Sequence, residues 1–225
     1  MNGVGCRFSP LHNWTVCLPA RQSSAGSTKP TFAQASSCRT SLRRKPPRKR
    51  RKRSDLTMSS AKITVHKGSV VYAGTDAIVN AANAQLAPGG GVCGAIFSAA
   101  GYDQLDRACR AIGGCPTGSA VTTPGFKLKA KHIIHAVGPI YRGTKANAAQ
   151  LYSVYQACLE QAEEHGCHSI GLCSISTGIY GYPLEEAVQI AVKALRDYPV
   201  KTCTDIRIYC FADREYQAFT HALSK

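Results

Sequence analysis

The chain has 225 residues, with 28 Lys and Arg against 13 Asp and Glu and a formal net charge of +15. No apolar run approaches the roughly 18 residues of a membrane-spanning helix, so a soluble chain with one folded domain and no membrane partner is expected. The charge is divided by position: residues 1–58 hold 13 of the basic residues and one acid, Asp55, a net +12, whereas residues 59–225 net only +3.

Residues 1–58 are rich in Ser, Thr, Pro, Arg and Lys and sustain neither a helical nor a strand period, so a disordered basic extension is expected there and the folded domain over 59–225. The run RRKPPRKRRKR at 43–53 places nine positive charges in eleven residues. Such a field attracts nucleic acid, or the acidic groove of a nuclear-import receptor, in a salt-dependent way. The same composition suits a mitochondrial presequence, although Pro46 and Pro47 oppose an amphipathic helix. A third reading is a start at Met58, immediately before the periodic sequence, with no role for the extension. Cytoplasm, nucleus and mitochondrion therefore stay open as addresses. Arg7, His12 and Asn13 interrupt any secretory apolar region near Met1, and the eight cysteines after residue 59 read as reduced core fillers.

From Lys62 onward, short β-branched stretches alternate with longer helical patterns, the order expected of an α/β structure with helices covering a mostly parallel or mixed sheet. Strands are expected at 63–65, 77–81, 119–123, 132–137, 169–174 and 206–211. A helical pattern over 92–99 follows three consecutive glycines. The clearest helix spans about 148–165, where Leu151, Val154, Tyr155, Cys158, Leu159 and Ala162 recur at three- and four-residue spacing before Gly166 stops it. Pro183 opens another helix, 184–195, with Glu185 and Glu186 in the first turn, where the helix dipole favours negative charge. A last helix, about 214–223, sets Tyr216, Phe219 and Leu223 on one face.

Two loops carry the chemistry. Gly89, Gly90 and Gly91 lie between a strand and a helix, so the backbone can approach a phosphate and aim successive N–H groups at it. The pattern is neither the dinucleotide fingerprint GxGxxG nor a P-loop. A second loop, SISTGIYGYP at 174–183, follows the fifth expected strand. Two such loops at the carboxyl ends of strands suggest one crevice, and two anion nests favour a diphosphate flanked by groups on both sides.

NAAN (80–83), GGGVCGAI (89–96), HAVGP (135–139) and STGIYG (176–181), in this order and over essentially all of residues 60–225, resemble the macro domain family. The likeness is nearest to its MacroD-type branch of mono-ADP-ribosyl hydrolases, with similarities to the macro domains of alphavirus polyproteins. It implies a three-layer α/β/α fold around a six-stranded mixed sheet and a crest cleft for ADP-ribose. It further implies removal of mono-ADP-ribose from ester-linked acidic side chains, or deacetylation of O-acetyl-ADP-ribose, with ADP-ribose or an ADP-ribosylated protein as partner; a monomer is expected, although the sequence leaves the oligomeric state open. No cofactor and no metal are expected. By similarity, Gly89, Gly90, Gly91 and Val92 wrap the diphosphate from one side and Ser176, Thr177, Gly178, Ile179 and Tyr180 from the other. Asn83 then hydrogen-bonds the distal ribose, Tyr180 stands beside it, Phe211 packs against adenine, and Ser69 and Val70 border the base. Asn80 is placed with the binding residues, although its amide equally suits a tie to neighbouring backbone.

Two positions depart from the family pattern. Hydrolases of the branch carry aspartate in GGGVDG where this chain has Cys93, so the substrate's own diphosphate is left to orient and partly deprotonate water, or Cys93 only preserves the shape of the ribose site. Asn83, Cys93 and Tyr180 are the candidate catalytic residues; no histidine adjoins Cys93 in sequence to make it a nucleophile. The family's Gly-Asp-Ile, whose aspartate accepts from the adenine amino group, is here Gly68-Ser69-Val70, which can accept a hydrogen bond but brings no charge. His135 suits a structural hydrogen bond. The densest metal-type cluster, His165, Cys167, His168 and Cys173, matches no compact zinc module. A non-catalytic ADP-ribose reader would use the same two loops.

Overall fold

The computed structural model describes residues 61–225; the basic extension, its charge run and the expected boundary at 59 lie outside the described residues. In chain order the elements are β1 (Lys62–Lys67), a 3-10 turn (Val70–Tyr72), β2 (Ala77–Ala81), α1 (Gly91–Ala100), α2 (Tyr102–Ile112), β3 (Ala120–Pro124), β4 (His132–Ala136), α3 (Lys145–Glu164), β5 (Ser169–Cys173), α4 (Leu184–Asp197), β6 (Asp205–Cys210) and α5 (Asp213–Leu223). The six strands form one sheet in the order β1-β6-β5-β2-β4-β3. Every pairing is parallel except that of β3 with β4, so the sheet is mixed. Helices cover both faces, giving three α/β/α layers.

Burial explains the strand sequences. Central β2 and β5 lie between helices and read as the apolar runs AIVNA and SIGLC, whereas edge strand β1, KITVHK, is only half-buried. Adjacent residues of β3 show which helices take which face, because strand side chains alternate. Thr122 Oγ1 donates to Gln161 of α3 at 2.7 Å, while Thr123 Oγ1 lies 2.9 Å from His135, whose ring also approaches Cys109 of α2. The α1–α2 pair and α3 therefore flank opposite faces.

All six expected strands are present, β2 with the expected bounds and the others with ends within two residues of them. The long helix starts earlier than its apolar period indicates, at Lys145, because Thr144 caps it and Asn147 bonds back to the cap. Helix α2 has no counterpart in the sequence reading: it buries only Leu105 and Cys109 and is enclosed by Gly101 (φ +96°) and Gly113 (φ +86°). The parallel strands end along one edge of the sheet, where both glycine loops emerge.

Candidate functional site

Two contiguous cavities, of about 230 and 460 Å³, occupy that edge and share Gly91, Val92, Ser174 and Gly178 as walls. The smaller is closed by Asn83, the glycine run, Cys93, Gly138 and 174–180. The larger lies between Gly68, Ser69 and Val70 on one side and Tyr209, Phe211 and Glu215 on the other. Together they make one elongated cleft.

The glycine run ends in α1, whose N-cap Gly90 offers no side-chain acceptor. The first turn's N–H groups, on Gly91, Val92 and Cys93, have no partner among the described residues, so they and the helix dipole are free for an anion. Gly91 has φ +60°, and a Cβ on Gly94 would stand 2.8 Å from the Gly89 carbonyl oxygen. The opposite loop is folded back by Tyr182 N–H donating to Ser176 O (3.0 Å) and Gly181 N–H to Gly178 O (2.9 Å). The N–H groups of Thr177, Gly178 and Ile179 find no partner among the described residues. Ser176, with φ +67°, is buried and its hydroxyl has no partner among the described residues. Among the described residues neither cavity has a Lys, Arg or His in its wall, and the one charged lining residue is Glu215. An anion here is therefore held by oriented backbone dipoles rather than by side-chain cations.

Fourteen of the fifteen residues singled out from the sequence lie on the walls of this cleft: Ser69, Val70, Asn83, Gly89, Gly90, Gly91, Val92, Cys93, Ser176, Thr177, Gly178, Ile179, Tyr180 and Phe211; Asn80 alone does not.

 Ser69 caps the 3-10 turn, accepting from Val71 N–H at 3.4 Å. Asn83 faces the smaller cavity, with its amide closing a local turn: Nδ2 donates to Ala87 O (2.9 Å) and Oδ1 accepts from Ala87 N–H (3.0 Å). One donor and one acceptor position remain for a ligand. Ile179 and Phe211 stand out from the rim, 93% and 88% exposed.

Asn80 corrects the expectation that it contacts ligand. It is fully buried beneath the cleft, and its Nδ2 lies 3.0 Å from His135 Nδ1 and 3.7 Å from Cys93 Sγ. Strand alternation turns its side chain into the α1–α2 layer, and its Oδ1 has no partner among the described residues. With Asn80 donating to Nδ1, His135 carries its proton on Nε2 and donates to Thr123 Oγ1. Burial pushes His135 down to about 4, so the ring is neutral. Asn80 separates it from Cys93, and it has no direct contact with that thiol.

The macro domain family model matches residues 79–191. A macro domain-containing protein of Caldanaerobacter subterraneus is 44% identical over 166 residues, covering 72% of this chain and 95% of its own length. The chain belongs to the macro domain family. An O-acetyl-ADP-ribose deacetylase of Salmonella typhimurium is 40% identical to this macro domain over 173 residues, covering 74% of this chain and 96% of that protein. Among solved structures, a mutant of the Oceanobacillus iheyensis macrodomain with ADPR superposes with a TM-score of 0.69 at 34% identity, over 74% of this chain and 94% of that one.

Several residues that build the cleft of this macro domain, on its wall or beneath it, escaped the sequence reading of individual sites. Gly138 was visible only as part of HAVGP; a Cβ there would stand 2.2 Å from Ser176 Oγ and 2.5 Å from Ile175 Cγ2, so the loop packs on bare backbone. Tyr155 of α3, fully buried, accepts from Ile175 N–H at 3.1 Å and anchors the same loop from below. Glu215 left no signal, because its approach to the cleft depends on how α5 docks.

Proposed function

We propose that the protein is an ADP-ribose-binding hydrolase that cleaves an ester on the distal ribose, releasing mono-ADP-ribose from acidic side chains, deacetylating O-acetyl-ADP-ribose, or both. The observation that carries this reading is the pair of facing backbone N–H arrays between two cavities, a geometry suited to one diphosphate with a substituent at each end. The Salmonella relative's name and the ADPR-bound Oceanobacillus structure support the same ligand class. In this reading the larger cavity takes the nucleoside and the smaller the distal ribose, bordered by Asn83, Cys93 and Tyr180. Hydrolysis consumes one water: its oxygen bonds to a carbon of the ester linkage, the ester C–O bond breaks, and ADP-ribose and the free acid leave. No carboxylate among the described residues lines the smaller cavity, so the substrate's diphosphate is assigned the task of orienting that water and drawing off its proton. The MacroD-type branch, with cysteine in place of its aspartate, is the assignment within the family that the motifs favour.

The full chain is to be incubated with a protein carrying ester-linked mono-ADP-ribose and, separately, with O-acetyl-ADP-ribose. Release of ADP-ribose from either is the expected result. Tight ADP-ribose binding without turnover of either ester would overturn hydrolysis and leave the reader, which the missing aspartate favours.

A further inference from the structure

Glu215 is the single charged residue in the cleft wall among the described residues, and it borders only the larger cavity. In the first turn of α5, its Oε2 accepts from the N–H groups of Phe211 (3.2 Å) and Ala212 (3.4 Å). The carboxylate is thereby clamped at the base of Phe211, whose ring is exposed at the cavity wall. Its Oε1 takes no hydrogen bond among the described residues. Lys67 and Asp213, paired at 2.6 Å, tie the start of α5 to the end of β1, which brings Glu215 to the pocket that Ser69 and Val70 border. Val70, Val92 and Ala95 supply apolar walls. A flat heteroaromatic ring laid on Phe211 between those walls meets one strong acceptor at its edge and no cation. Such an edge accepts from an exocyclic amine and repels a ring carbonyl, acceptor against acceptor.

We infer that Glu215 determines base specificity: its free carboxylate oxygen accepts from the exocyclic amine of the ligand's purine and selects adenine over a 6-oxo purine. This rests on the proposed ADP-ribose reading of the cleft. The carboxylate that the resemblance leads one to expect at Ser69 is supplied from another element, one helical turn beyond Phe211.

Calorimetric titration of the full chain compares ADP-ribose with analogues bearing hypoxanthine or unsubstituted purine. The native chain is expected to bind in the order adenine, purine, hypoxanthine, with at least about tenfold between the ends, the scale of a charge-assisted hydrogen bond. Glu215→Gln, whose amide both donates and accepts, is expected to bring adenine and hypoxanthine within about threefold, and glutamine still serves the cap. Purine binding as tightly as adenine in the native chain, or an undiminished preference in Glu215→Gln, overturns the inference and leaves ADP-ribose binding standing. No binding of ADP-ribose by the native chain overturns the reading beneath it. The native-chain order needs no variant, so a poorly folded Glu215→Gln does not remove the test.

Discussion

Ser176 combines two costs in one residue: a left-handed φ of +67° without glycine's freedom, and a buried hydroxyl with no partner among the described residues. Each is worth about 1 kcal/mol or more, and such strain persists where a site requires a particular backbone. Ser176→Gly is expected to raise stability by about 1 kcal/mol, after glycine's greater unfolded-state entropy is set against the relief. ADP-ribose affinity should fall severalfold as the loop loses its preorganisation. Urea denaturation and calorimetry check the two halves, and a destabilised variant would contradict the assignment of strain. The glycines of this cleft were legible in the sequence because residue type alone signals their backbone freedom. Ser176's conformation was not, since a serine adopts φ > 0 only when its surroundings impose it.

Glu163, at the end of α3, shows how an element is fastened. Its carboxylate accepts from the N–H groups of Lys201 (2.7 Å), Thr202 (3.0 Å) and Cys203 (3.1 Å) and from the Thr202 hydroxyl, joining the helix to the loop before β6. Partial burial pushes its pKa up, but these hydrogen bonds prevail and hold it at about 2. A depressed carboxyl stabilises the fold above its unfolded value of about 4.5, and that contribution is lost as pH falls from there towards 2. Glu163→Gln should therefore cost about 1 kcal/mol at pH 7, allowing for solvent screening, with the difference shrinking below pH 4 in chemical denaturation. A pH-independent difference would refute the charge argument. Among the elements, α3 and α4 were legible from long apolar periods, whereas α2, short and enclosed by glycines, presents only Leu105 and Cys109 to the core and carries too little period to stand out.

For the whole molecule, the acid limb of stability should include His135. Burial pushes its pKa to about 4, while the unfolded chain takes up a proton near 6.5. The unfolded state therefore binds more protons between those values, so stability from this group is complete above pH 6.5 and lost as pH falls towards 4, by about 3 kcal/mol at most. His135→Gln should flatten that part of the denaturation profile; equal slopes for both proteins between pH 7 and 4.5 would count against it. Sequence alone determined the order of the six strands and of every α-helix but α2, the two glycine loops and the family, because alternating burial, glycine freedom and contiguous motifs are written in local order. Tertiary structure decided that Asn80 lies under the cleft with His135 rather than on its wall, that Gly138 makes room for Ser176, and that Glu215 reaches the larger cavity. Each depends on contacts between segments 38 to more than 100 residues apart, whose register is set by sheet pairing and helix docking. The net charge likewise divides: the cleft walls carry no cation among the described residues, and the excess belongs to the extension.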